Sequence, residues 1–236
     1  MVDIDFKIET APMQENYIPA SKSLNPSLFI AIAAEGQEEM LYLSRIRDVT
    51  TANSSTLMVV LLNEFYMNPI EAISLSHPKH RYELIEQWRI YYSTRLGITN
   101  DDEEWLICDR DDSNFKSQQY DSYVHMARKN PHFHFIVSNP AFQLWLLLHF
   151  TSQIPVFQSS KCKDKIRMLE AEIRKYAGAY THGSLDFGKY ATHVRDAMKN
   201  SQQYSTYTME DLKDMTGTHF FKLLEFIESQ IGKSVF

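Results

Sequence analysis

Three aspartates crowd the end of a short apolar run: in "WLICDRDDSN", Trp105 to Cys108 carry large or apolar side chains, and Asp109, Asp111 and Asp112 follow within four residues. Neighbouring carboxylates repel unless something positive lies between them, so the cluster asks for a cation. Residues two apart in an extended segment point the same way, which lets Asp109 and Asp111 face one ion. Hard oxygen donors suit Mg²⁺ or Mn²⁺, with water and a substrate phosphate completing the coordination. The same aspartates could instead cap the following helix or close an Asx turn. Glu35, followed by Gly36, ends another apolar run, and if the two run ends lie side by side it reaches the same ion. Glu35, Glu38 and Glu39 also read as acids favoured near a helix N-terminus by the macrodipole.

The elements that must position these acids are legible in the apolar patterning. "LFIAIAAEG" predicts a buried strand over Leu28 to Ala34, and "QEEMLYLSRIRDV" a helix with Met40, Leu43 and Ile46 on its apolar side. "TLMVVLL", Thr56 to Leu62, is a second strand rich in branched residues. "RYELIEQWRIYYSTRL" repeats Leu84, Ile85, Trp88, Tyr92 and Leu96 at helical spacing before Gly97. A third strand, Glu104 to Cys108, a helix around Tyr120 to Arg128, and "FHFIVSNP", a fourth strand stopped by Pro140, follow. Strands separated by helices predict parallel pairing, with ligand chemistry at the strands' carboxyl ends. Beyond Phe150 the pattern is helical, with Ile166, Leu169, Ile173 and Tyr176 on one helix and Phe220, Leu223, Leu224, Ile227 and Ile231 on another. The expected class is α/β, a mainly parallel sheet flanked by helices. Residues 1–26 form an irregular lead-in, 27–155 the α/β core, and 156–236 a helical extension packed on that core.

Composition narrows the class of function. The 236 residues are 44% hydrophobic and 23% charged with 7 Gly and 8 Pro, a balance that belongs to an ordered domain. Cys108 and Cys162 are the only cysteines, which excludes a disulfide scaffold and a cysteine zinc site and fits a reducing compartment. A net charge of −6 argues against a surface coated for phosphate binding, although "KCKDKIR", with Lys161 and Lys163, offers a local basic patch or simply a solvated helix face. The opening segment lacks the apolar centre of a secretory signal. The run "AFQLWLLLHF" falls short of the ~20 residues of a membrane span. A cytoplasmic protein without a membrane partner is expected.

Three stretches resemble one known family. "AAEGQEEMLYL" is similar to an E-G-x-T-E-x-x-Y-F signature, "LICDRDDSN" to a strand ending in D-x-D, and "SNPAFQLWLLLHF" to a long S-N-P-C-F-E-L-W-L-L-L-H-F block. Their order over residues 28–150 is that of the RloB-like (AbiLii-like) family of abortive-infection and restriction-linked proteins. The resemblance implies a Toprim-type core in which Glu35 acts as acid/base or metal ligand, Asp109 and Asp111 hold Mg²⁺, and Glu39 matches the second Glu of the signature. It also implies nuclease activity and a partner ATPase, which would be separately encoded because no Walker A loop occurs here. Two departures stand out: Glu38 replaces a Thr, and Gln143 with Ala141 replaces Glu with Cys. A neutral Gln143 predicts weaker affinity for a second metal.

Other residues carry open readings. Ser138 and Asn139, at the end of the fourth strand, are candidates for phosphate contact or ligand support. His149 fits a buried histidine or a functional one, whereas Leu144 to Leu148 read as core. "HFH" (His132, His134) and "HPKH" (His77, His80) suggest zinc, but lack a second ligand pair at recognisable spacing. The leading expectation is a metal-dependent nuclease acting on DNA or RNA in a defence system, with Asp112 or Glu39 serving a second ion and a homo-oligomer allowed. The alternatives are a catalytically weakened partner subunit of a defence complex and a D-x-D transferase using a metal–nucleotide-sugar.

Overall fold

A computed structural model describes residues 27–34, 36–61, 99, 101–110 and 117–236. Glu35, Asp111, Asp112, His77, His80, the lead-in and the helix expected over 81–96 lie outside the described residues.

Strand β1 (Leu28–Ala34) runs into helix α1 (Gln37–Asn53), which returns the chain to β2 (Leu57–Leu61). β3 (Glu103–Asp109), α2 (Ser117–Lys129) and β4 (Phe133–Asn139) repeat the alternation. The sheet order is β2-β1-β3-β4-β5, with the first four strands parallel. This is the mostly parallel, helix-flanked α/β arrangement that the alternating pattern predicts, consistent with a Rossmann-like fold. The two-residue β5 (Gly217–Thr218) joins β4 antiparallel. Two residues are too few to show a strand period, so local sequence gives no sign of it. Gly217 suits the spot because a Cβ there would lie 2.7 Å from Leu212 Cδ2.

Period two along the strands divides the core into two layers. Ile30, Ile32, Ala34, Trp105, Ile107 and Ile136 face α1 and the C-terminal helices, while Phe29, Ala33, Leu106, Cys108, Phe135 and Val137 face α2 through Tyr120, Tyr123 and Val124. The C-terminal part contributes α3 (Gln143–Leu148), α4 (Cys162–Ala177), α5 (Val194–Ser201), α6 (Asp211–Asp214) and α7 (Phe220–Ile231). Leu169, Ile173, Ala197, Phe220 and Leu224 belong to the same cluster as β1 and α1, so these helices complete the first layer. Tyr176 differs from its expected role: it is half exposed and stacks on Phe150 at 5.7 Å. The buried side of α1 also differs. Besides Leu43 and Ile46 it contains Glu38, Glu39, Tyr42 and Thr50, and Met40 is only partly covered. Among the described residues no helix is long and apolar enough to cross a membrane.

Candidate functional site

β1 and β3 are adjacent and parallel, with Ala34 opposite Ile107. Asp109 stands two residues beyond Ile107 and so emerges on the same side, the side of α1 and α3. Its Oδ1 accepts a 2.8 Å hydrogen bond from the Phe142 N–H, one residue before α3. The next backbone group, Arg110 N–H, donates to Ser138 O at 2.8 Å, and Arg110 Nε donates to Lys213 O at 3.0 Å. The end of β3 is thereby tied to the turn after β4 and to α6, which sets the direction of the partly exposed Asp109.

At the neighbouring strand end, Gly36 leads into α1 in an extended conformation. The buried Glu39 folds its carboxylate back over it, and a Cβ on Gly36 would collide with Glu39 Oε2. Close approach of side chain to backbone is the physical reason for glycine here. Among the described residues no three His, Cys, Asp or Glu side chains form a group able to hold a metal. The aspartates and the glutamate that would join Asp109 and Glu39, namely Asp111, Asp112 and Glu35, lie outside the described residues.

A second set of polar groups meets beside this point. Gln143 Nε2 donates to Glu38 Oε2 at 2.7 Å, and the Tyr180 hydroxyl donates to Glu38 Oε1 and Oε2 at 2.7 and 2.9 Å. His182 Nδ1 lies 3.2 Å from Gln143 Nε2, 3.4 Å from Glu170 Oε1 and 3.9 Å from Glu38 Oε2. Burial pushes the Glu38 carboxyl above the usual range, against the opposing pull of the Tyr180 hydroxyl, the His182 charge and the Gln143 amide. Burial, followed by the Glu38 charge, pushes the Tyr180 hydroxyl up as well. The two departures from the family pattern are therefore in contact: a carboxylate sits at Glu38, across one hydrogen bond from the neutral Gln143. They are 105 residues apart in the chain, so sequence reading has no means of pairing them.

Tyr180, Glu170 and His182 come from the helical extension and belong to no motif. The only local signal is the glycine in "YTHGS", where Gly183 adopts a left-handed φ of 80° in the turn closed by the Thr181–Ser184 bridge.

The remaining candidates fall in several places. Ser138 pairs with Asp109 across the sheet, and its hydroxyl is 2.8 Å from that of Thr218. Asn139 is buried and donates to Leu212 O at 3.0 Å; its bond to Pro140 is cis. His149 lies in the core, with Nε2 3.0 Å from the Tyr42 hydroxyl and Nδ1 3.0 Å from Trp145 O. Burial lowers its pKa to about 3, which keeps the imidazole neutral. Lys161 and Lys163 are exposed on either side of Cys162, whose thiol donates to Pro140 O at 3.7 Å. The basic run thus begins against the β4–α3 turn. His132 and His134 share Glu103, at 3.1 and 2.5 Å, at the start of β3. They lie at the end of the strand opposite to Asp109.

The family model for RloB-like proteins matches residues 30–227, from β1 into α7. No curated protein and no solved structure matches the chain. The matched span takes in both strand ends, the Glu38–Gln143 contact and the extension that supplies Tyr180 and His182, and the chain belongs to the RloB-like protein family.

Proposed function

We propose that this protein is a metal-dependent nuclease of a defence or abortive-infection system, built on a Toprim-type core. The observation that carries the reading is that Asp109 ends β3 and Glu39 folds back over Gly36, which follows β1, so that each carboxylate belongs to the carboxyl end of one of two adjacent parallel strands, where α/β sheets hold their ligands. Hard carboxylate oxygens on one side of the sheet fit Mg²⁺ or Mn²⁺. Glu35, Asp109 and Asp111 would hold the metal, with Glu39 and Asp112 available to a second ion. Mg²⁺ bound there supplies polarisation of the scissile phosphate and a lowered pKa for an attacking water.

The chain's own residues do the positioning. The Phe142 N–H occupies Asp109 Oδ1 and holds the carboxylate in one orientation. Gly36 leaves room for the Glu39 carboxylate against the backbone. Lys161 and Lys163, exposed on either side of Cys162, would meet the phosphates of DNA or RNA. Any ATPase partner would be a separate polypeptide.

The test is cleavage of plasmid DNA, single-stranded DNA and total tRNA with Mg²⁺ or Mn²⁺. Asp109→Ala and Glu35→Gln are each expected to lower cleavage by about 100-fold or more, the scale of losing several kcal/mol of charge stabilisation. Full activity in both variants would sink the proposal. Gln143 favours one second reading, a weakened partner subunit. Calorimetric titration of wild type with Mg²⁺ separates the two, since a weakened site binds the ion poorly and Gln143→Glu would strengthen it.

A further inference from the structure

The two carboxylates that the described residues bring to the metal site come from different elements. Asp109 ends β3, and Glu39 stands in the first turn of α1. An ion shared by two elements is held only as well as those elements keep their spacing. A short run of bonds fixes that spacing here. Asp109 Oδ1 accepts from the Phe142 N–H at 2.8 Å. Gln143 follows Phe142 in the chain, and its Nε2 donates to Glu38 Oε2 at 2.7 Å. Glu38 immediately precedes Glu39. Asp109 and Glu39 are therefore tied to each other through one interior contact, Glu38 to Gln143, which joins the start of α1 to the start of α3.

That contact is buried and held from several sides. Glu38 and Gln143 are 3% and 2% exposed. The Tyr180 hydroxyl donates to both Glu38 oxygens, at 2.7 and 2.9 Å. Gln143 Oε1 has no hydrogen-bond partner among the described residues, so the contacts of Nε2 with Glu38, Tyr180 and His182 set how the amide points. The same contact accounts for both departures from the family signature. A Thr at 38 with a Glu at 143 puts a hydroxyl donor on α1 and the acid on α3. Glu38 with Gln143 puts the acid on α1 and an amide donor on α3. Either way one acid meets one donor, and only the direction is reversed.

We propose that Glu38 is a positioning residue for the cation: through its bond to Gln143 it sets the separation of Glu39 and Asp109, and it carries the acid that the signature places at 143. The proposal rests on the metal site of the nuclease reading above. Glu38 acts through Glu39 and Gln143 and is not itself a ligand. Gln143 is then the matched partner of Glu38, not a ligand that has lost its charge.

Rescue by exchange distinguishes this role from a general contribution to the fold. Mg²⁺ affinity by calorimetry, thermal midpoint by circular dichroism and cleavage of a labelled oligonucleotide are measured in wild type, Glu38→Thr, Gln143→Glu, the variant carrying both substitutions, and Tyr180→Phe. Each of the first two single variants is expected to weaken Mg²⁺ binding by about 10-fold or more, the scale on which residues that support a metal ligand act. The double variant, which again pairs one acid with one donor, is expected to bind within about threefold of wild type. Tyr180→Phe removes other hydrogen bonds to Glu38 and leaves Gln143 in place, so it is expected to lower the thermal midpoint and keep wild-type Mg²⁺ affinity. Wild-type affinity in Glu38→Thr, a double variant as weak as the two single losses combined, or equal losses in Tyr180→Phe and Glu38→Thr overturn the assignment and leave the nuclease reading standing. Tighter binding in Gln143→Glu alone also overturns it, in favour of the weakened-subunit reading. A wild type that shows the expected pattern of Mg²⁺ affinities but cleaves no nucleic acid supports the assignment and overturns the nuclease reading; one that takes up no Mg²⁺ overturns both.

Discussion

At the scale of single residues, the Glu38–Gln143 contact decides how the site carries charge. A buried carboxylate costs several kcal/mol unless it is hydrogen-bonded, and Glu38 receives bonds from Gln143 and Tyr180. Placing a second carboxylate at 143 would set two acids side by side, and one of them would have to stay protonated. Gln143→Glu alone is therefore expected to lower stability by about 1–3 kcal/mol, through the lost donor and the new repulsion. Glu38→Thr combined with Gln143→Glu removes that repulsion, so the double variant should be more stable than the sum of the singles by about 1 kcal/mol or more. Urea unfolding of the four proteins measures the coupling, and strict additivity would refute it. Neither residue announces this pairing locally, because Glu38 reads as a first-turn acid and Gln143 as a neutral substitution.

At the scale of elements, the entry to α1 matters most. The helix begins where β1 ends, and the extended Gly36 lets Glu39 fold back toward the strand end. Gly36→Ala would drive its Cβ into the Glu39 carboxylate, which lies at the end of a flexible side chain and can swing away. The expected result is little change in thermal midpoint, within about 1 kcal/mol of stability, together with weaker Mg²⁺ binding and a loss of cleavage. Circular dichroism melting and calorimetry check the two halves; wild-type metal affinity would show that the position of Glu39 is immaterial. Strands were legible as short continuous apolar runs, because a parallel sheet covered on both faces buries nearly every side chain, and long helices from period 3.6, because burial on one side imposes it. The buried acids of α1 broke the rule, since a helix face that ends at a polar site need not be apolar there.

At the scale of the whole molecule, the C-terminal helices share the core with the sheet, and two histidines are enclosed with them. Burial lowers the pKa of His149 to about 3 and, helped by Lys222, that of His219 to about 4. Both values lie below the unfolded value near 6.5, so the stability they contribute is complete above that pH and is lost as pH falls toward 4. Each adds a slope of up to about 1.4 kcal/mol per pH unit in that window. Urea unfolding between pH 7 and pH 4 should show the loss, with a shallower slope in His149→Gln; an unchanged slope would mean that His149 titrates normally in the fold. The parallel alternation of strands and helices, the acids at two strand ends and the family were determined by the sequence itself. Each rests on local periodicity or on contiguous motifs. Only the tertiary structure decided that Glu38 meets Gln143, that β5 closes the sheet beside β4, and that the 181–184 turn brings His182 to the start of α1. Those contacts join residues tens to more than a hundred positions apart, and packing rather than any local preference selects them.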